Sequence, residues 1–537
     1  MSNTMWKNLL LLLVLGSFLT LDSCHNTDNV KKKSLKIFKY NENAGISSTD
    51  PAYAKDQSNI WCVNHLYNGL VQLDNQLQIQ PCLAKSWKIS EDGLTYTFYL
   101  RDDVYFIEDK CFESKRRLIA SDIVYSFNRI IDSKTASPGA WIFRDKIDNK
   151  EAFMALNDTT FQLKLSKPFP PMLSILSMQY TFIVPKEAVE MYGRQFAYHP
   201  VGTGPFKMKV WEENSALYLI KNENYFEKDG NHQLPYLDGI KISFIENKKT
   251  ELLEYKAGKL SFITDINVTT AKEVMDDNGN LLPELVSKSN LSKCPYLKTE
   301  YIGFNLEQQK TIDKRIRLAL NHCFDRKKII QYLRNNIGKE ADAGMIPYGL
   351  SGYDTNFVKG YEYDVEKAKS LVLVVKKEGK LVPFTIYTNE NFKEYALYIA
   401  NEANKIGLSV KVEVVLPVLL REWMTQSKVS CFRASWIADY PEGESYMCLF
   451  YSKNGAPPNY TRFKDARFDE LYEQSLLENN PEKRIQLYYQ MENIVHEASP
   501  VIPLYYDQVL RLSQKNIKGL ESNAMNLLDL KRVEMDN

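Results

Sequence analysis

The chain opens on an apolar block. Residues 9–15 are seven apolar residues in a row, with Lys7 before them and Gly16, Ser17, Phe18 and Leu19 after. The block is shorter than the roughly 20 residues a membrane-spanning helix needs and fits the apolar core of a cleaved secretory signal. Past residue 34 the pattern changes to short strands. Residues 35–38 (LKIF), 95–100 (TYTFYL), 161–165 (FQLKL), 217–220 (LYLI) and 240–244 (IKISF) alternate or are rich in β-branched and aromatic residues. Among them, Ser121 predicts the N-cap of a helix with Val124, Phe127 and Ile131 on one face. From about residue 313 helices dominate. Asp313 precedes Ile316, Ala319 and Leu320, and Asp325 precedes Ile329 and Leu333. Ala396, Ile399, Ala400 and Ala403 share a face that Gly407 closes. Further helices are predicted near 468–477 and 481–498, the second with Pro481 in its first turn. Strands are predicted at 410–415 and 432–437. Helices alternating with apolar strands predict an α/β fold.

Length and charge narrow the function. A chain of 537 residues holds two to four structural units. Lys and Arg number 68 against 67 Asp and Glu, which argues against a nucleic-acid binder with its basic surface. Residues 21–24 (LDSC) resemble a bacterial lipobox, with Asp22 as a departure at the position two before the cysteine. The expectation is a signal peptide over 1–23, lipidation at Cys24, a polar tether over 24–34, and a lipid-anchored protein facing the periplasm or exterior. Seven further cysteines, an odd number, leave at least one unpaired within a monomer. None forms a CxxC, and the six histidines form no metal-ligand spacing, so neither metal nor cofactor is expected.

No catalytic constellation emerges. Gly202-Thr203-Gly204-Pro205 lacks a third glycine, and Pro205 removes an amide donor, so it reads as a tight backbone passage rather than a phosphate cradle. Residues 349–352 (GLSG) lack the spacing of a nucleophile elbow. The acids Asp439, Glu442 and Glu444 match no calcium loop. The chain is expected not to be an enzyme.

An ordered set of segments carries a resemblance. They are 49–53 (TDPAY), 65–71 (HLYNGLV), 81–87 (PCLAKSW), 91–101 (EDGLTYTFYLR), 120–127 (ASDIVYSF), 201–206 (VGTGPF), 301–305 (YIGFN), 315–320 (RIRLAL) with Asp325-Arg326, 436–441 (WIADYP) and 503–506 (PLYY). Together they resemble the bacterial extracellular solute-binding proteins, family 5, of oligopeptide and dipeptide ABC importers. The resemblance implies a two-lobed periplasmic-binding-protein fold (type II, cluster C) with an extra N-terminal subdomain and a hinge between the lobes. Lobe I would be 35–66, 198–293 and 509–537, the extra subdomain 67–197, and lobe III 294–508. The hinge crossings would fall near 291–301 and 504–512. The implied ligand is a short peptide, and the implied partners are the permease subunits of an ABC importer and, through Cys24, membrane lipid; the protein would act as a monomer.

A peptide of unspecified sequence offers only an ammonium, a carboxylate and a backbone. The resemblance gives Asp439 the ammonium. It gives Arg433, six residues earlier, the carboxylate, which suits a bidentate guanidinium. On a straight strand the two would stand roughly 20 Å apart, twice the reach of a tripeptide, so either a bend near 436–440 or a folded-back Arg433 is expected. Lys55, Asp56 and Gln57 on one side, and Ser435, Trp436 and Ile437 on the other, would grip the backbone as added strands. Trp141 and Trp436 are candidate pocket walls, and Lys393 a candidate second carboxylate partner. Two departures stand out. Residues 106–117 form a longer insertion with Cys111 and a Lys-Arg-Arg run, and Gly139 replaces a pocket aromatic found in some members. Competing readings are the same fold on another solute (murein tripeptide, nickel chelate, haem or sugar), or a secreted peptidase or chaperone-like protein.

Overall fold

The computed structural model describes residues 35–536 apart from 265, 267 and 309–311. The expected signal, Cys24 and tether lie outside the described residues. Three sheets organise the rest. In the first, Ile37–Asn41 lies parallel to Gly239–Ser243, which continues antiparallel to Ala216–Lys221 and then Phe206–Glu212. The second is antiparallel, in the order Ala84–Ile89, Thr95–Leu100, Thr160–Lys164, Phe153–Asn157. One hydrophobic core joins these two sheets, from Phe38 and Ile240 to Phe98, Phe127 and Phe161.

The third sheet has seven strands and is mixed. Its spine is the long pair Ser289–Phe304 and Val501–Gln514, flanked by Cys431–Ile437, Phe384–Thr388 and Val410–Val414 on one side and by Phe262–Ile263 on the other, with the short Lys339–Glu340 also paired to Val501–Gln514. Period-two alternation sends its residues into two cores. Ile302, Phe304, Cys431 and Ile502 pack with the helices Lys314–His322, Val365–Lys377 and Lys393–Lys405. Tyr301, Phe432, Ala434 and Val501 pack with Ala466–Ser475 and Pro481–Ala498. The long pair is not uniform: its register breaks between Pro295 and Thr299 and again between Glu300 and Tyr301.

Most elements fall within a residue or two of their expected positions. The helix Ala120–Ile131 differs in detail. Ser121 lies inside the first turn, and Asp122 does the capping by accepting the Ile119 N–H at 2.9 Å. Its buried face is Ile123, Phe127 and Ile130, with Val124 and Ile131 only half-buried. Arg129 from this helix meets Asp50 in a buried ion pair (Nη1–Oδ1 2.8 Å), which fixes the stretch leading into residues 55–57. The basic run of the 106–117 insertion is used internally: Arg116 bridges Asp122 at 2.7 Å and Glu187 at 2.8 Å. The glycines of 202–205 are a close passage, because a Cβ on Gly202 would stand 2.1 Å from the Leu66 carbonyl oxygen.

Candidate functional site

The two masses meet where the third sheet ends. Cys431–Ile437 keeps unbroken register with Ser289–Phe304 as far as Ile437, opposite Lys298. The Ala438 N–H donates to the Leu297 carbonyl at 2.9 Å, and the chain then turns into the short helix Glu444–Met447. Two bonds tie the turn down. The Asp439 N–H donates to Ser445 Oγ at 3.2 Å, and the Trp436 indole N–H donates to the Ser445 carbonyl. The chain therefore bends after 437.

Asp439 is exposed, and its carboxylate has no hydrogen-bond or ion-pair partner among the described residues. Protein nonetheless crowds it. Burial, followed by the charge of Glu444, pushes its carboxyl up to about 6. Tyr180 approaches from the opposite mass. Burial, then the charges of Asp439 and Asp56, push its phenol up to about 12. Two carboxylates from distant parts of the sequence thus converge on one tyrosine. Tyr180 also occupies the space beside Gly139, where an added Cβ would meet its Cγ at 2.5 Å. The missing aromatic at 139 is matched by an aromatic ring from 180.

Other contacts cross the same seam. Trp141 stacks on Tyr440, with ring centroids 6.4 Å apart and planes 25° apart, and Tyr440 joins the core of the first two sheets. Tyr440 and Tyr472 both donate to the buried Glu444 carboxylate. Burial lowers the Lys146 ammonium and Glu444 opposes that shift, which places Lys146 near this acid from across the seam. Glu442 pairs with Arg484 at 3.2 Å. The three acids at 439–444 therefore have three different surroundings, and no cluster of three metal-ligating side chains occurs among the described residues.

The remaining expected residues are dispersed around this point. Lys55 and Asp56 are exposed; Asp56 caps the helix Gln57–Leu66, and Gln57 Nε2 donates to the Asn526 carbonyl at 3.2 Å. Ser435 and Trp436 are half-buried, and Ile437 is exposed. Trp436 packs on the core beneath the sheet. Lys393 pairs with Glu390 at 3.5 Å, and it is its neighbour Phe392 whose ring lies 3.1 Å from the Arg433 guanidinium carbon. Arg433 is already engaged, because it forms an ion pair with the fully buried Glu300.

That pair belongs to a network the sequence reading missed. Lys298 Nζ lies 3.1 Å from Glu300 and 3.0 Å from Asp507, and Asp507 also pairs with Arg334. Beside it is a cavity of about 300 Å³ bounded by Lys298, Arg334, Asp507, Tyr395, Thr264 and Asn526. Burial raises the Asp507 carboxyl, but Arg334 and Lys298 outweigh it and hold the group below its ordinary value. The signal was present in residues 298–304 (KTEYIGF), where two opposite charges two residues apart interrupt an apolar strand.

Two α/β masses joined by a long strand pair, with an unpaired acid at their seam, define a two-lobed ligand-binding protein. The chain belongs to the bacterial extracellular solute-binding proteins, family 5, whose model matches residues 78–458. It is 28% identical over 474 residues to heme-binding protein A of Haemophilus influenzae, covering 84% of each chain. It is 24% identical over 489 residues to the glutathione-binding protein GsiB of Escherichia coli, covering 89% of this chain and 90% of that one. The structure of the periplasmic binding protein DppA from Helicobacter pylori in complex with the peptide STSA superposes with a TM-score of 0.76. It has 26% identity, covering 93% of this chain and 98% of that one. These relatives are binding proteins. No helix among the described residues is long and apolar enough to cross a membrane.

Proposed function

We propose that this chain is a lipid-anchored receptor that closes on short peptides with a free amino terminus and delivers them to an ABC importer. One observation carries the reading: Asp439, at the meeting of the lobes, is an exposed carboxylate whose charge the surrounding protein disfavours and which has no cation of its own. A ligand ammonium supplies the missing charge, with Asp56 and the Tyr180 ring near it. Lobe I (35–66, 198–293, 509–537) with the extra subdomain (67–197) forms one jaw, and lobe III (294–508) the other. The two register breaks in the long strand pair support a hinge there, because a ladder missing bonds bends more easily than an intact one. Of the three relatives named above, two support this substrate class, since glutathione and the peptide STSA both carry an α-ammonium; heme does not.

Calorimetry with a tripeptide and its N-acetylated form tests the proposal. The free amine is expected to bind and the acetylated form to lose most of its affinity; equal affinities would remove Asp439 as the ammonium site. The pH dependence is a second check. A bound ammonium favours the ionised acid, so the value in the complex lies below the free value of about 6. Affinity for the free amine is therefore expected to fall as pH drops through 6, by about tenfold between pH 7 and pH 5. The acetylated peptide is expected to show no such slope. A flat profile for both would argue against ionised Asp439 in binding.

A further inference from the structure

We infer that Lys298, rather than Arg433, receives the anionic end of the captured ligand; this rests on the peptide reading above. Arg433 is closed off on two sides. Glu300, itself 1% exposed, takes its guanidinium, and the Phe392 ring covers its face. Glu300 thus stands where a ligand carboxylate would otherwise bind.

The network still carries surplus positive charge. Lys298, Arg334 and Arg433 face only Glu300 and Asp507. Lys298 and Arg334, not Arg433, border the cavity of about 300 Å³. Lys298 has three N–H donors. One is donated to Asp507 at 3.0 Å, and Glu300 lies 3.1 Å away as an ion-pair partner, which leaves at least one donor for a ligand. The cavity draws its walls from both lobes, Thr264 and Asn526 from one and Lys298 from the other. It also adjoins the 55–57 segment, because the Asn526 carbonyl accepts from Gln57.

Access, rather than reach, decides between the two cations. Lys298 stands opposite Ile437, only two residues before Asp439, which is about 7 Å along an extended chain. Arg433 is six residues before Asp439, and its strand stays in register through 437, so it lies roughly 20 Å back along the chain. These are backbone intervals, and both charged ends reach the Glu300 carboxylate, so what separates the two cations is that Lys298 opens on the cavity and Arg433 does not.

Calorimetry with trialanine, its C-terminal amide and its N-acetyl form tests the assignment in wild type and variants. Lys298→Gln alone removes the network's surplus positive charge, so the Lys298→Gln/Asp507→Asn pair, which keeps the net charge, is used, with Asp507→Asn as its control. The wild type, Asp507→Asn and Arg433→Gln are each expected to prefer the free acid over the amide about tenfold, the worth of one charge-assisted hydrogen bond. The double variant is expected to bind both within about twofold. Preference lost in Arg433→Gln, kept in the double variant, or absent from the wild type overturns the inference. If acetylation weakens binding as expected, the ammonium reading survives that result. If acetylation has no effect, or trialanine does not bind at all, both readings fall.

Discussion

Asp439→Asn is expected to weaken binding of free-amine peptides by about 100-fold, from the cost of removing one partner of an enclosed charge pair. The amide keeps the shape of the carboxylate and loses its charge. The effect should be confined to the amine, so N-acetylated peptides are expected to bind the variant and the wild type equally weakly. Folding should not suffer. The raised carboxyl means that the folded protein disfavours the charged form, and an uncharged amide relieves that penalty at neutral pH. Titration calorimetry and thermal melts on the same samples separate the two effects. A variant that binds the free amine normally, or one that loses binding only because it melts early, would dismiss Asp439 as the ammonium partner.

Gly202→Ala is expected to destabilise the protein by about 3 kcal/mol or more, near the top of the range for overpacking. The new methyl would meet the Leu66 carbonyl oxygen at 2.1 Å and Tyr67 Cδ1 at 2.6 Å. Neither neighbour is free to move. The same Leu66 oxygen accepts the Gly204 N–H at 3.0 Å, and the Gly202 carbonyl accepts the Ile107 N–H at 3.0 Å. Gly455→Ala is the control, since nothing lies within 4 Å of its added methyl. The measurement is the midpoint of urea unfolding. An unchanged midpoint for Gly202→Ala would mean that the passage between 66 and 202 is looser than its geometry implies.

Much of the fold was legible in the chain because its elements obey local rules. Thr95–Leu100 alternates cleanly, and Pro481–Ala498 carries its proline in the first turn. The long pair Ser289–Phe304 and Val501–Gln514 was foreseen only as two hinge crossings. Ser289–Phe304 is half-buried over its first half and buried over its second, and Val501–Gln514 is buried along nearly all its length, so no single period marks either strand. The site divides in the same way. Asp439 stood out through a motif, but Tyr180 and Glu300 could not. Tyr180 reaches the seam by filling the space beside Gly139, and Glu300 neutralises Arg433 through a strand pairing that joins residues 133 positions apart. Such pairings are properties of the folded sheet and leave only a faint trace in sequence, here the two opposite charges within an apolar strand.

All seven cysteines among the described residues are free. Burial pushes every one of these thiols up: Cys294 to about 11, Cys82, Cys111 and Cys323 to about 12, and Cys62, Cys431 and Cys448 further still. Thiol exchange runs through the thiolate, which such groups almost never form at neutral pH. For a member of an exported family, this means maturation in an oxidising compartment without cross-links among these seven to make or to unscramble. The melting temperature is accordingly expected to be the same with and without reductant.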